Sequence, residues 1–252
     1  MKINFKTRLG AAVIMCLVGS CAHTGTMSQH RYECSDRLAR AIKKYDAGKY
    51  ASTKAILDDV KQQCAGHRIM DSTEYYLAMS LVHMKMYADA KLEFTRITQD
   101  FPRSSYFEEA QFRIGYCVFK SSLSVDRDQT ETREAQRLFS DFLQSYPSSN
   151  FADSAQKYLK TTVNKLAEKD FNSAKFYQKM GEKESAVVCY KAFINDYPAS
   201  PFTAQARLNL GQMLVELGRT AEAREVLDAL IREENKSENA GKARELLRRC
   251  GE

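Results

Sequence analysis

Cysteine is the residue with the most chemistry to offer in this chain, and its seven copies fall in different settings. Cys34 and Cys64 lie on either side of Gly48 at nearly equal distances, so a helical hairpin turning there brings them level. In an oxidising compartment that pair is expected as a disulfide fixing the hairpin. Cys117 and Cys189 fall at packing positions of helical stretches, where a thiol behaves as a small apolar group. Cys250 is left free, and no Cys-x-x-Cys pair suggests zinc. Asp126 and Asp128 flank Arg127 as paired carboxylates that could do acid/base or metal work, but no histidine accompanies them, and a solvated charged loop is expected. His83 falls on a repeat's first helix and reads as a groove or core histidine. The chain holds no His-Glu-x-x-His, Gly-x-Ser-x-Gly, P-loop or dinucleotide fingerprint. The residues therefore point away from catalysis, and no metal or cofactor is expected.

The remaining two cysteines belong to the amino terminus. A basic start with Lys2, Lys6 and Arg8 leads into the apolar stretch Leu9–Val18, then Gly19, Ser20 and Cys21. About ten apolar residues suit a signal-peptide core and are too few to span a bilayer. Val18-Gly19-Ser20-Cys21 resembles a lipobox: small residues let the extended chain enter a protease groove, and the thiol receives the diacylglycerol. That resemblance implies a signal peptide over 1–20, cleavage before Cys21 and lipidation of Cys21 on its sulfur and its new amino group. Several acyl chains, each contributing about 0.8 kcal/mol per buried methylene, hold a protein stably on a bilayer. Ala22 in place of an acidic residue points to the outer membrane. Residues 21–32 carry no apolar periodicity and are expected as a lipidated, flexible tether.

Composition narrows the fold class of the remaining chain. Only 4 Pro and 11 Gly in 252 residues leave too few turn-formers for a sandwich or propeller, so the chain reads as helical. Without residues 1–20 the net charge falls to 35 Lys+Arg against 32 Asp+Glu. That is too small to argue for nucleic acid, and no run of Lys/Arg marks a charged membrane patch.

The helices repeat. Asp100-Phe-Pro-Arg-Ser-Ser-Tyr106, Ser145-Tyr-Pro-Ser-Ser-Asn-Phe151 and Asp196-Tyr-Pro-Ala-Ser-Pro-Phe202 share an aromatic–proline pair, a serine able to cap the next helix, and an aromatic opening it. Counting back from each proline gives Ala90, Phe94 and Ile97; Ala135, Phe139 and Phe142; and Ala186, Tyr190 and Phe193, at identical offsets. A small residue followed by a large one is the tetratricopeptide pattern, the small one letting helices approach and the large one filling the gap. A fifth unit keeps Gly211, Leu214, Gly218, Ala223, Leu227 and Leu230. The first has Leu38, Ala41, Ile42 and Tyr45 on one helix and Ile56, Leu57 and Val60 on the other. The expected architecture is an all-α, tetratricopeptide-like solenoid over 33–252. Its five helix pairs cover about 33–66, 71–103, 106–148, 151–199 and 201–234, and a C-terminal helix over 237–250 caps the last. Two units depart from the pattern. Extra residues around Ser124–Thr130 form an excursion in the third, and the fourth opens with one helix of about thirty residues between Phe151 and Met180.

Val125-Asp-Arg-Asp128, Ala135-Gln-Arg-Leu-Phe-Ser-Asp-Phe142, Tyr146-Pro-Ser-Ser149, Leu166-Ala-Glu-Lys169 and Ala174-Lys-Phe-Tyr-Gln-Lys-Met-Gly181 are together similar to the BamD family of outer-membrane assembly lipoproteins. The resemblance covers essentially all of the mature chain. It implies a non-enzymatic protein on the periplasmic face of the outer membrane. Its C-terminal repeats would dock on the POTRA domains of a BamA-like barrel insertase, beside other assembly lipoproteins, and its N-terminal groove would receive unfolded barrel precursors. The competing reading is another periplasmic tetratricopeptide lipoprotein, an adaptor for envelope proteases or cell division. A hydrolase with a repeat appendage is disfavoured, because the repeats leave no room for a catalytic domain.

Overall fold

The computed structural model describes residues 23–249, with side chains from Glu33 onward. The signal peptide, Cys21 and Cys250 lie outside the described residues. Within them are eleven helices and no strand. Five antiparallel pairs run in chain order: α1 (His23–Asp46) with α2 (Tyr50–Gln63), α3 (Met70–His83) with α4 (Tyr87–Asp100), α5 (Phe107–Ser121) with α6 (Thr130–Ser145), α7 (Ala152–Lys179) with α8 (Lys183–Asp196), and α9 (Thr203–Glu216) with α10 (Thr220–Glu233). α11 (Glu238–Arg249) covers the last pair, packing on both α9 and α10. Each helix otherwise packs chiefly on its chain neighbours, the arrangement of a solenoid.

The repeated triads form the core. Ala90, Phe94 and Ile97, their counterparts Ala135, Phe139 and Phe142, then Ala186, Tyr190 and Phe193, are all buried. Each large side chain so buried contributes roughly 1.5–3 kcal/mol. Tyr190 stands where the neighbouring units have phenylalanine, and its hydroxyl is satisfied: it donates to Gln178 Oε1 at 2.6 Å and accepts from Asn209 Nδ2 at 2.9 Å. In the first unit the triad is Thr53, Leu57 and Val60, with Ile56 only partly buried. A threonine serves at the small position because its hydroxyl bonds back to the Lys49 carbonyl at 3.1 Å.

Turns within the first, second, fourth and fifth pairs use one geometry. After α1, Gly48 has φ 71°, and the Lys49 N–H reaches back to the Lys44 carbonyl at 2.9 Å. The α3–α4 turn repeats this with Lys85, a non-glycine residue at φ 61°, and Met86 N–H bonded to the Leu81 carbonyl. Between pairs, the serines act differently from the expected helix caps. Tyr106, Phe151 and Phe202 occupy the capping positions, and Ser104, Ser149 and Ser200 accept the N–H two residues ahead, closing the turn itself. Each of these aromatics then stacks on an aromatic of the preceding first helix: Tyr106 on Tyr75, Phe151 on Phe112, and Phe202 on Phe171, with centroids 4.1, 5.1 and 5.2 Å apart.

One further expectation changes. The stretch expected as a tether is helical from His23, because no proline interrupts it and α1 propagates backward from its packed half. The 28-residue α7 serves two cores in succession. Ala155, Tyr158 and Leu159 join the core around Phe139, while Ala167, Phe171 and Ala174 join the one around Tyr190.

Candidate functional site

The first helices of adjacent units touch, α1 beside α3 and α5 beside α7, and the rings they share form a partly exposed band. Tyr45 meets Tyr50 and Tyr76 edge-on at 5.5 and 5.3 Å. His83 is exposed, stacks flat on Tyr50 at 4.2 Å, and places Nε2 3.2 Å from the Tyr45 hydroxyl. It is a surface histidine inside an aromatic cluster. Further along, Tyr87, Tyr116 and Tyr158 continue the band, with Lys120 over the Tyr116 ring. Such rings offer large contact area at small entropic cost and suit an extended peptide with apolar and aromatic side chains.

A second surface sits at the end of α7. Phe176 and Met180 are 58% and 63% exposed, Tyr177 lies against Phe176, and Val188 on α8 is 65% exposed. Large apolar side chains left outside the core at this density mark a contact surface. Beside the middle of α7, the expected excursion is a loop between α5 and α6, and it is anchored from two sides. The buried Gln129 amide donates to the carbonyls of Ser124 and Arg127, at 2.8 and 3.0 Å. From α7, Lys165 donates to the Ser122 hydroxyl and Lys169 to the Asp126 carbonyl. The two irregular features of the sequence thus form one substructure.

Cys34 and Cys64 are joined in a disulfide, their Cα atoms 6.0 Å apart. Cys117 is buried and desolvation pushes its thiol up to about 12, so it is inert at neutral pH. Cys189 is half-buried at the edge of the core around Tyr190, against which it packs. Asp126 and Asp128 are not brought together with further ligands, and among the described residues no group of three side chains could hold a metal.

One polar cluster has no counterpart in the sequence pattern. Lys61 on α2 donates to Glu74 on α3 at 2.8 Å and to Glu93 on α4 at 2.5 Å, all three largely shielded from solvent. Burial, and then the bond to Glu93, push the Glu74 carboxyl up to about 7. Burial works against the Glu93 charge too, but bonds from Glu74 and Lys61 outweigh it and hold that carboxyl below its ordinary range. The aromatic stacks were not expected either, though a signal for them exists: Tyr75 and Phe171 each stand 27 residues before their unit's proline, and Phe112 has the same place once the excursion is allowed for.

Among the described residues no helix is long and apolar enough to cross a membrane. The chain is 26% identical over 138 residues to an outer membrane protein assembly factor BamD of Caulobacter vibrioides, a match covering 55% of this chain and 45% of that protein. It is 23% identical over 203 residues to the BamD of Xylella fastidiosa, covering 61% of this chain and 69% of that one. The chain thus spans about half the length of the Caulobacter relative. Among solved structures, the TPR2AB domain of yeast Sti1 overlaps 90% of this chain and all of that one, at 15% identity and a TM-score of 0.40. The family YfiO, outer membrane lipoprotein, matches residues 32–230, from the first helix pair into the fifth, and the chain belongs to that family.

Proposed function

We propose that this chain is a lipid-anchored, non-enzymatic scaffold of outer-membrane barrel assembly, facing the periplasm. Cys21 carries the anchor. The fourth and fifth units dock on the POTRA domains of a BamA-like insertase, with Phe176, Tyr177 and Met180 supplying the apolar contact. The Tyr45–Tyr50–Tyr76–His83 cluster takes extended segments of unfolded barrel precursors. The family match carries this reading, and the separation of the two exposed apolar surfaces onto different units supports it. Anchoring makes both encounters effectively intramolecular, so modest affinities suffice.

The test is a mild-detergent pull-down of the full-length chain with mass spectrometry of its partners. Recovery of a POTRA-bearing barrel insertase, and release of the chain from outer-membrane fractions by Cys21→Ala, are the expected results. Recovery of envelope proteases or division proteins without the insertase would replace this reading with the adaptor reading.

A further inference from the structure

The sequence has no run of basic residues, yet the fold builds one basic face. A cleft of about 890 Å³ between α1 and α2 is lined by Arg37, Arg40, Lys43, Lys44 and Lys49, with Asp59 as its one acidic residue. Arg37 neutralises that acid and also bonds Glu33 and Gln63. Arg40, Lys43, Lys44 and Lys49 are exposed, and none has an acidic partner among the described residues. The cleft lies on the open end of the solenoid. Leu38, Ala41, Ile42 and Tyr45 turn the other side of α1 into the core, and among the described residues α1 is the first helix.

A polar end face is what a terminal repeat needs for solubility, but solubility does not require one sign of charge. At the opposite end, α11 is equally polar but most of its cations are paired: Lys242 with Glu238, and Arg248 and Arg249 with Glu245, while Arg244 bonds the Asn235 carbonyl. A cluster of four cations without acidic partners thus stands at the end from which the anchored segment enters. α1 begins two residues after Cys21, and Arg40 lies about 25 Å along it from His23.

We infer that the Arg40–Lys43–Lys44–Lys49 face rests on the anionic phospholipid headgroups of the bilayer that holds Cys21, laying α1 along the membrane surface and fixing the solenoid's orientation. The inference rests on the lipid anchor proposed above. Each cation engaged favours an anionic surface by roughly fivefold, an effect that weakens with salt.

The experiment dilutes detergent-solubilised, lipidated full-length chain into an equal mixture of neutral phosphatidylcholine vesicles and vesicles containing phosphatidylglycerol, separates the two, and compares recoveries. The natural chain is expected to favour the anionic vesicles by more than about tenfold at low salt, and less at high salt. The combined change Arg40→Gln, Lys43→Gln, Lys44→Gln and Lys49→Gln is expected to abolish the preference. A charge-matched control with Lys236, Lys242, Arg244 and Arg248 changed to Gln is expected to keep it. Equal recovery of the natural chain with both vesicles, or equal loss in both variants, would overturn the basic face while leaving the anchor standing. Recovery with neither vesicle would overturn face and anchor together. If glycerol phosphate removes the preference more than chloride at equal ionic strength, the cleft is a small-anion pocket and the membrane assignment is wrong. If added envelope proteins are needed for the preference, the face belongs to an acidic protein partner.

Discussion

At the amino-terminal end of the solenoid, α1 and α2 share a small apolar core of Cys34, Val60 and Cys64, closed by a disulfide, and meet the second unit through the Lys61–Glu74–Glu93 cluster. At the carboxy-terminal end, Leu208, Leu227 and Leu230 are buried under α11 by Ala243, Leu246 and Leu247, and Gly211 lets α9 close on Leu227. Both ends lack a neighbour on one side, and they make up the loss differently. A covering helix supplies apolar burial at one end. A covalent tie and buried ion pairs hold the other, which leaves its outer face free to be charged. An end that carries a binding cluster and a basic face cannot also be covered, so its rigidity comes from inside the hairpin.

Breaking the tie should have the largest effect. Changing Cys34 and Cys64 together to Ser, which opens a loop with a sequence separation of 30, is expected to cost about 2–4 kcal/mol in denaturant unfolding. The loss should appear as faster hydrogen exchange in α1 and α2 with α9–α11 unchanged. Uniform loosening along the chain would mean that the ends do not behave as separate regions.

The matching change at the far end is Gly211→Ala. The added Cβ would stand 2.5 Å from Leu227 Cδ2 and 2.7 Å from its Cγ, in a fully buried site. Overpacking of this kind costs about 1–3 kcal/mol. Exchange should quicken in α9–α11 and not in α1–α2.

A pH series sharpens the contrast further. Because the Glu74 carboxyl sits at about 7 in the fold against 4.5 when unfolded, its proton stabilises the fold at low pH, and that contribution is lost as pH rises through 7. Glu74→Gln is therefore expected to raise stability at pH 8 by about 1–2 kcal/mol and to change little at pH 5. An equal effect at both pH values would show that Glu74 holds no extra proton.

The smallest expected effect is at a turn. Lys85→Gly removes a left-handed lysine and should stabilise the second unit by up to about 1 kcal/mol in thermal unfolding.

Much of the solenoid is legible in the sequence, for a physical reason. The alanine–aromatic–apolar triads and the aromatic–proline turns recur at fixed offsets, and a repeated constraint is visible where a single one is not. The opening of α1 is not legible, because helix can propagate from a packed segment into residues with no pattern of their own. The Glu74 cluster is invisible because it gathers residues from three helices, each ordinary in its own segment. Most of the basic face, by contrast, lies on α1, at Arg37, Arg40, Lys43 and Lys44, and helical spacing alone could have shown it. Thr53 does not stand out as a core residue because its burial depends on a bond to a backbone carbonyl, which composition does not reveal.

Site-specific photo-crosslinking in the intact envelope tests the division of labour between the two regions most directly. A crosslinking residue placed at Tyr50 is predicted to capture unfolded barrel precursors and not the insertase. One placed at Phe176 is predicted to capture the POTRA-bearing insertase and not the precursors. The same partners recovered from both positions, or the insertase from Tyr50 alone, would contradict the account.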